Sequence, residues 1–117
     1  MLMGALAIFT VVAAMGLSMV LGVLRGRAVD GRYAMIHGAA ALAGSALVIM
    51  AALAGDARLY INIAMAVVII GLGLLMGMAA RKGKRPPKVV VVAHVGLAVA
   101  CYSVLAFFTL IPTAELF

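Results

Sequence analysis

Residues 33–54 read Tyr-Ala-Met-Ile-His-Gly-Ala-Ala-Ala-Leu-Ala-Gly-Ser-Ala-Leu-Val-Ile-Met-Ala-Ala-Leu-Ala. The run holds no Asp, Glu, Lys or Arg and shows no period-two alternation. It is also as long as a bilayer is thick, since about 20 apolar residues cross the hydrocarbon core as an α-helix. Three further runs share its character, at about 3–24, 59–80 and 89–111. Lipid offers no partner to exposed backbone, so each run is expected to be helix. The connections, 25–32, 55–58 and 81–88, are too short to hold a domain. The expected fold is an all-α integral membrane protein: one membrane domain, 1–117, built as an up-down bundle of four transmembrane helices.

Composition excludes the main alternatives. Hydrophobic residues make up 68% of the 117, charged residues 10%, and the mean hydropathy is +1.34. A soluble chain this small has too little interior to hide that much apolar surface. No room is left for a soluble catalytic or nucleotide-binding domain. The single cysteine, Cys101, excludes an internal disulfide, a CxxC redox pair, a thiolate metal cluster and the covalent CxxCH haem site.

The net charge of +6 follows topology and does not call for nucleic acid. Arg25, Arg27 and Arg32 lie in the first loop, and Arg81, Lys82, Lys84, Arg85 and Lys88 in the third. Only Arg58 lies in the second. The positive-inside rule then places loops 25–32 and 81–88 in the cytoplasm of a bacterial inner membrane, with both termini outside. Met-Leu-Met-Gly lacks the basic start of a cleavable signal, so the first run is read as a span of the mature protein. The basic loops also suit anionic membrane lipids.

The chain repeats. Leu-Arg-Gly-Arg-Ala-Val-Asp-Gly-Arg-Tyr-Ala-Met-Ile-His-Gly at 24–38 has a counterpart in Ala-Arg-Lys-Gly-Lys-Arg-Pro-Pro-Lys-Val-Val-Val-Val-Ala-His-Val-Gly at 80–96. Each half runs apolar span, basic loop, apolar span, with one His early in its second span. Two repeated helix hairpins, related by an axis along the membrane normal, are expected.

His37 and His94 are the only histidines, and ionisable groups inside spans are rare and usually functional. Each follows a basic residue, Arg32 or Lys88, by five or six positions. Both therefore lie roughly 8 Å into the bilayer. Spans two and four run in the same direction and are diagonal in such a bundle, roughly 11–14 Å apart. That separation is too wide for direct contact and suits two imidazoles reaching one iron from opposite sides. The His faces continue through small residues: Ala40, Ala41 and Gly44 on span two, Ala98 and Cys101 on span four. A flat macrocycle needs such a hollow, and Arg32 and Lys88 stand at the level of its propionates. Small residues also line spans that pack with no ligand, and a His can serve as interhelical glue. Zinc is disfavoured, since it takes three or four protein ligands and only two histidines share this depth.

Other features read as packing or anchoring. Gly73-Leu-Leu-Met-Gly77 is a GxxxG face for a partner subunit or a second copy. Asn62 and Ser18 are expected to bond to neighbouring helices. Tyr33, Tyr60, Phe107 and Phe108 are expected at the membrane interfaces.

On His37 and His94 the chain resembles compact four-helix membrane cytochromes b, of the b561 type, and more distantly the haem-carrying anchors of respiratory complexes. The resemblance implies one non-covalent haem b ligated by both histidines, with Arg32, Lys88, Ala41, Gly44 and Ala98 around it. It implies electron exchange with quinol or with other membrane redox subunits. The b561 pattern carries two histidine pairs, whereas this chain has one. Small multidrug transporters are similar in length, but residues 3–24 lack their acidic residue. Two other readings stand beside the haem protein: a haem-free accessory subunit of a larger membrane enzyme, and a small dimeric transporter or channel.

Overall fold

The computed structural model describes residues 1–116. It contains four helices: α1 (Leu2–Leu24), α2 (Gly31–Leu53), α3 (Tyr60–Arg81) and α4 (Lys88–Leu110). A 3-10 turn, Ala57–Leu59, leads into α3. All four helices are long and apolar enough to span a membrane. The molecule measures 45 × 24 × 21 Å. The four expected spans are all present, with ends shifted by one or two residues. α2 starts at Gly31, ahead of Tyr33, because the Asp30 side chain caps it, its Oδ1 accepting from Arg32 N at 2.9 Å.

Glycine ends three of the helices. Gly26, Gly83 and Gly55 have φ of +78°, +68° and +120°, values that carry a steric cost for any residue with a Cβ. Past each glycine the next N–H closes back on the final turn. Arg27 N bonds Gly22 O at 2.8 Å, Lys84 N bonds Ala79 O at 2.9 Å and Asp56 N bonds Ala51 O at 3.2 Å. This is the Schellman closure, which satisfies carbonyls the helix leaves open. Pro86-Pro87 precedes α4, with Pro87 at its N-cap, where a missing N–H costs nothing.

The helices alternate in direction around the bundle. α1 packs most extensively on α2, and α3 on α4. α2 meets α3, and α1 meets α4, along thinner seams. α2 and α4 therefore stand on a diagonal. The two hairpins superpose in numbering with an offset of 57. Gly31–Leu53 maps onto Lys88–Leu110, Gly26 onto Gly83, and His37 onto His94. The repeat is thus carried by helix ends and turn glycines as well as by loop charge.

Burial is uneven along the bundle. Ala5, Val48, Ala51, Ala52, Leu59, Leu105, Phe108 and Ala114 form one cluster toward the termini and the second loop. Among the described residues, none is buried in the half nearer loops 25–32 and 81–88. The histidines lie in that open half.

Polar contacts tie down the closed end. Arg58 donates to Asp56 through Nε (2.8 Å) and a terminal nitrogen (2.7 Å). Its other terminal nitrogen donates to the carbonyls of Pro112 (2.9 Å) and Ala114 (3.0 Å). The guanidinium lies 5.0 Å from the Phe108 ring centroid. Phe108 was expected at the interface; it is 2% exposed, a core residue beneath this cation, while Phe107 is exposed. Asn62 donates to the Cys101 carbonyl at 2.9 Å, joining α3 to α4 as expected. Thr10 commits its proton to Leu6 O, so Tyr102 donates to Thr10 Oγ1 at 2.8 Å and joins α4 to α1. Ser18 is exposed.

The Arg58 hydrogen bonds hold the Asp56 carboxyl below its ordinary pKa of 3.8, against a smaller opposing effect of desolvation. A depressed carboxyl contributes stability that is present above the unfolded value and is lost as pH falls through the folded one. The 112–114 turn therefore stays fixed at neutral pH and loosens below about pH 4. Arg58→Ala should loosen it at every pH. Hydrogen exchange at the Ala114 amide, which bonds Ile111 O at 2.9 Å, reads both effects.

Candidate functional site

The histidines occupy equivalent positions. His37 is the seventh residue of α2 and His94 the seventh of α4, two 23-residue helices that run parallel on the diagonal. Both imidazoles are half-buried.

Each ring rests on a glycine of its own hairpin. A Cβ placed on Gly73 of α3 would lie 3.1 Å from His94 Cε1 and 3.6 Å from Nδ1. A Cβ placed on Gly16 of α1 would lie 3.2 Å from His37 Cε1 and 4.0 Å from Nδ1. Gly16 and Gly73 are themselves equivalent under the offset of 57. The GxxxG of α3 is thereby divided. Gly73 is the seat of His94 inside the hairpin, and only Gly77 has open space above it. The expected partner-facing GxxxG surface is corrected to that extent.

His94 Nδ1 lies 2.9 Å from the carbonyl of Ile69, one helical turn before Gly73. A carbonyl only accepts, so Nδ1 carries the proton. In the neutral ring Nε2 is then the lone-pair nitrogen. His37 makes no corresponding hydrogen bond. Its Nδ1 is left buried without a partner. The halves thus share a plan and differ in one bond.

The surrounding residues fall where the spacing put them, with one difference. Arg32 and Lys88 stand exposed at the starts of α2 and α4. Ala41 and Ala98 lie one turn beyond each His, half-buried. Gly44 does not extend the hollow. Its place is taken by Phe9 of α1, whose Cε2 would lie 2.9 Å from a Cβ on Gly44. The space beside His37 therefore closes by Gly44, two turns from the ring. On α4, Cys101 marks the matching limit, since its Sγ lies 3.5 Å from Asn62 Nδ2 and 3.6 Å from Asn62 O.

Among the described residues, no three His, Cys, Asp or Glu side chains gather as a metal site. Comparison with family models, curated proteins and solved structures returns no match.

Sequence reasoning reached the histidines and their depth. It missed Gly16, Gly73, the Ile69 carbonyl and the Arg58 contacts. The first two had a signal, since each glycine precedes its His by the same number of residues. The carbonyl had none, because every residue offers one.

Proposed function

We propose that this chain is a membrane electron-transfer protein holding one haem b between His37 and His94. The observation that carries the reading is the paired register of two imidazoles, with His94 Nδ1 tied to the Ile69 carbonyl. Such a bond is the usual partner of a ligating histidine, fixing its tautomer and leaving Nε2 for the metal. His37 holds the equivalent position in the first hairpin without that bond, its Nδ1 buried and unpartnered. The residues fit the group in two further respects. The histidine half of the bundle holds no fully buried residue among those described, and a bis-His pair needs no third protein ligand.

Haem b held in this way supplies a one-electron couple with both axial positions filled, which favours electron transfer over oxygen chemistry. The protein's part is to present two neutral imidazoles, to shield them with apolar helices, and to offer cations at Arg32 and Lys88 for carboxylates at the interface. The charge bias supports a cytoplasmic position for this end. Quinol or another membrane redox subunit would complete the electron path. Titrating detergent-purified protein with haemin tests the proposal. Saturation at one haem per chain supports it, and only diffuse, non-saturating uptake contradicts it.

A second reading rests on the same hydrogen bond. His94 to Ile69 joins α4 to α3 with no cofactor, as expected of a haem-free accessory subunit. Under that reading His94→Ala weakens the bundle and assembly with a partner, and haemin titration gives no defined stoichiometry.

A further inference from the structure

We propose that Gly16 and Gly73 are positioning residues for the imidazole pair, setting which ring nitrogen each histidine presents. The inference deepens the haem reading and rests on it for its purpose, though its geometry stands alone. In both hairpins the ring lies against a glycine through Cε1 and Nδ1, and in the second hairpin Nδ1 is bonded to the carbonyl of Ile69, one turn before Gly73. Cβ approaches of 3.1 and 3.2 Å are closer than packed atoms normally accept. An alanine at either site must push the ring away. For His94 that lengthens the 2.9 Å bond, and the preference for a proton on Nδ1 weakens with it. Nε2 is then less strictly reserved as the lone-pair nitrogen.

The recurrence argues against chance. Glycine is common in these spans, but Gly38, Gly71, Gly77 and Gly96 have nothing within 4 Å of a Cβ position. The glycines that touch a histidine are the two related by the 57-residue offset, and each touches the histidine of its own hairpin.

The test uses full-length protein with 15N-labelled histidine, as Gly16→Ala, Gly73→Ala and, as a control with open space, Gly77→Ala. Before haem is added, nitrogen shifts report the tautomer of each ring, and exchange of the His94 Nδ1 proton reports its bond. Wild type and Gly77→Ala should show His94 protonated on Nδ1. Gly73→Ala should shift the ring toward mixed tautomers and speed that exchange up to roughly threefold, the effect of losing an average polar contact between spans. Gly16→Ala should alter His37 and leave His94 unchanged. After haemin is added, the two seat variants should shift the midpoint potential and the control should not. Unchanged His94 tautomer and exchange in Gly73→Ala overturns the proposal. Altered tautomers in protein that binds no haem would uphold the seats and defeat the haem reading, so the two failures are distinct.

Discussion

His37→Ala and His94→Ala are each expected to purify with almost no low-spin haem, and to differ from each other in stability. Ligation needs both imidazoles, so either loss leaves iron with one protein ligand, and in this chain no other His, and no Cys, Asp or Glu, stands at that depth to replace it. The difference arises from the second nitrogen. His94 gives up its bond to the Ile69 carbonyl, worth about 0.6 kcal/mol for an average polar contact between spans. His37 has no such bond to lose, and its removal also eliminates a buried unsatisfied nitrogen. Without haem, His94→Ala should therefore unfold at lower temperature than His37→Ala. Visible spectra and thermal unfolding of the two proteins in one detergent give both comparisons. Equal haem retention in either variant and wild type would remove that histidine from the ligand set.

Phe108→Ala is expected to cost the most stability of any single substitution at the closed end. The ring is 2% exposed, sits in the cluster with Leu59, Leu105 and Ala114, and carries the Arg58 guanidinium at 5.0 Å. In soluble cores Phe→Ala costs 3–5 kcal/mol. Here the unfolded reference is still dissolved in lipid or detergent, so part of the transfer term vanishes, while the cavity and lost contacts remain. A loss of about 3 kcal/mol follows. Phe107, 41% exposed next to it, is the control: Phe107→Ala should be within about 0.5 kcal/mol of wild type. Denaturant unfolding in mixed micelles measures both. Equal effects of the two substitutions would mean that Phe108 is not the core residue described here.

The contrast between Phe107 and Phe108 shows what the sequence could tell and what it could not. Spans were legible because length and the absence of charge are properties of a segment. Their ends were legible to within one or two residues because the charged loops interrupt the apolar runs, while the Asp30 cap and the turns at Gly26, Gly55 and Gly83 set where each helix stops or starts. Which face turns inward was far less legible. In water an apolar stripe marks the core. In lipid both sides of a helix are apolar, so that contrast disappears. α3 illustrates it: Val67, Val68, Leu74 and Leu75 face outward, while polar Asn62 is 2% exposed. For the same reason Gly44 read as open space although Phe9 fills it. The histidines escaped the ambiguity because an ionisable group in a span has reason to turn inward.

The asymmetry between the bundle's ends bears on the account as a whole. The closed end is packed by aliphatic and aromatic side chains and pinned by Arg58 and Asn62. The histidine end has no buried residue among those described. A bundle that needed only to hold together has little reason to place its two equivalent imidazoles at the end it packs least. A cofactor held between the two histidines would explain both features.

The most direct test is a dithionite-reduced minus oxidised visible spectrum of protein purified from haem-replete cells. The account predicts a sharp α band in the b-type position at one haem per chain, with the low-spin form expected of two imidazole ligands. A flat difference spectrum from folded protein would contradict it, and would leave His37 and His94 as helix-packing residues of an accessory subunit.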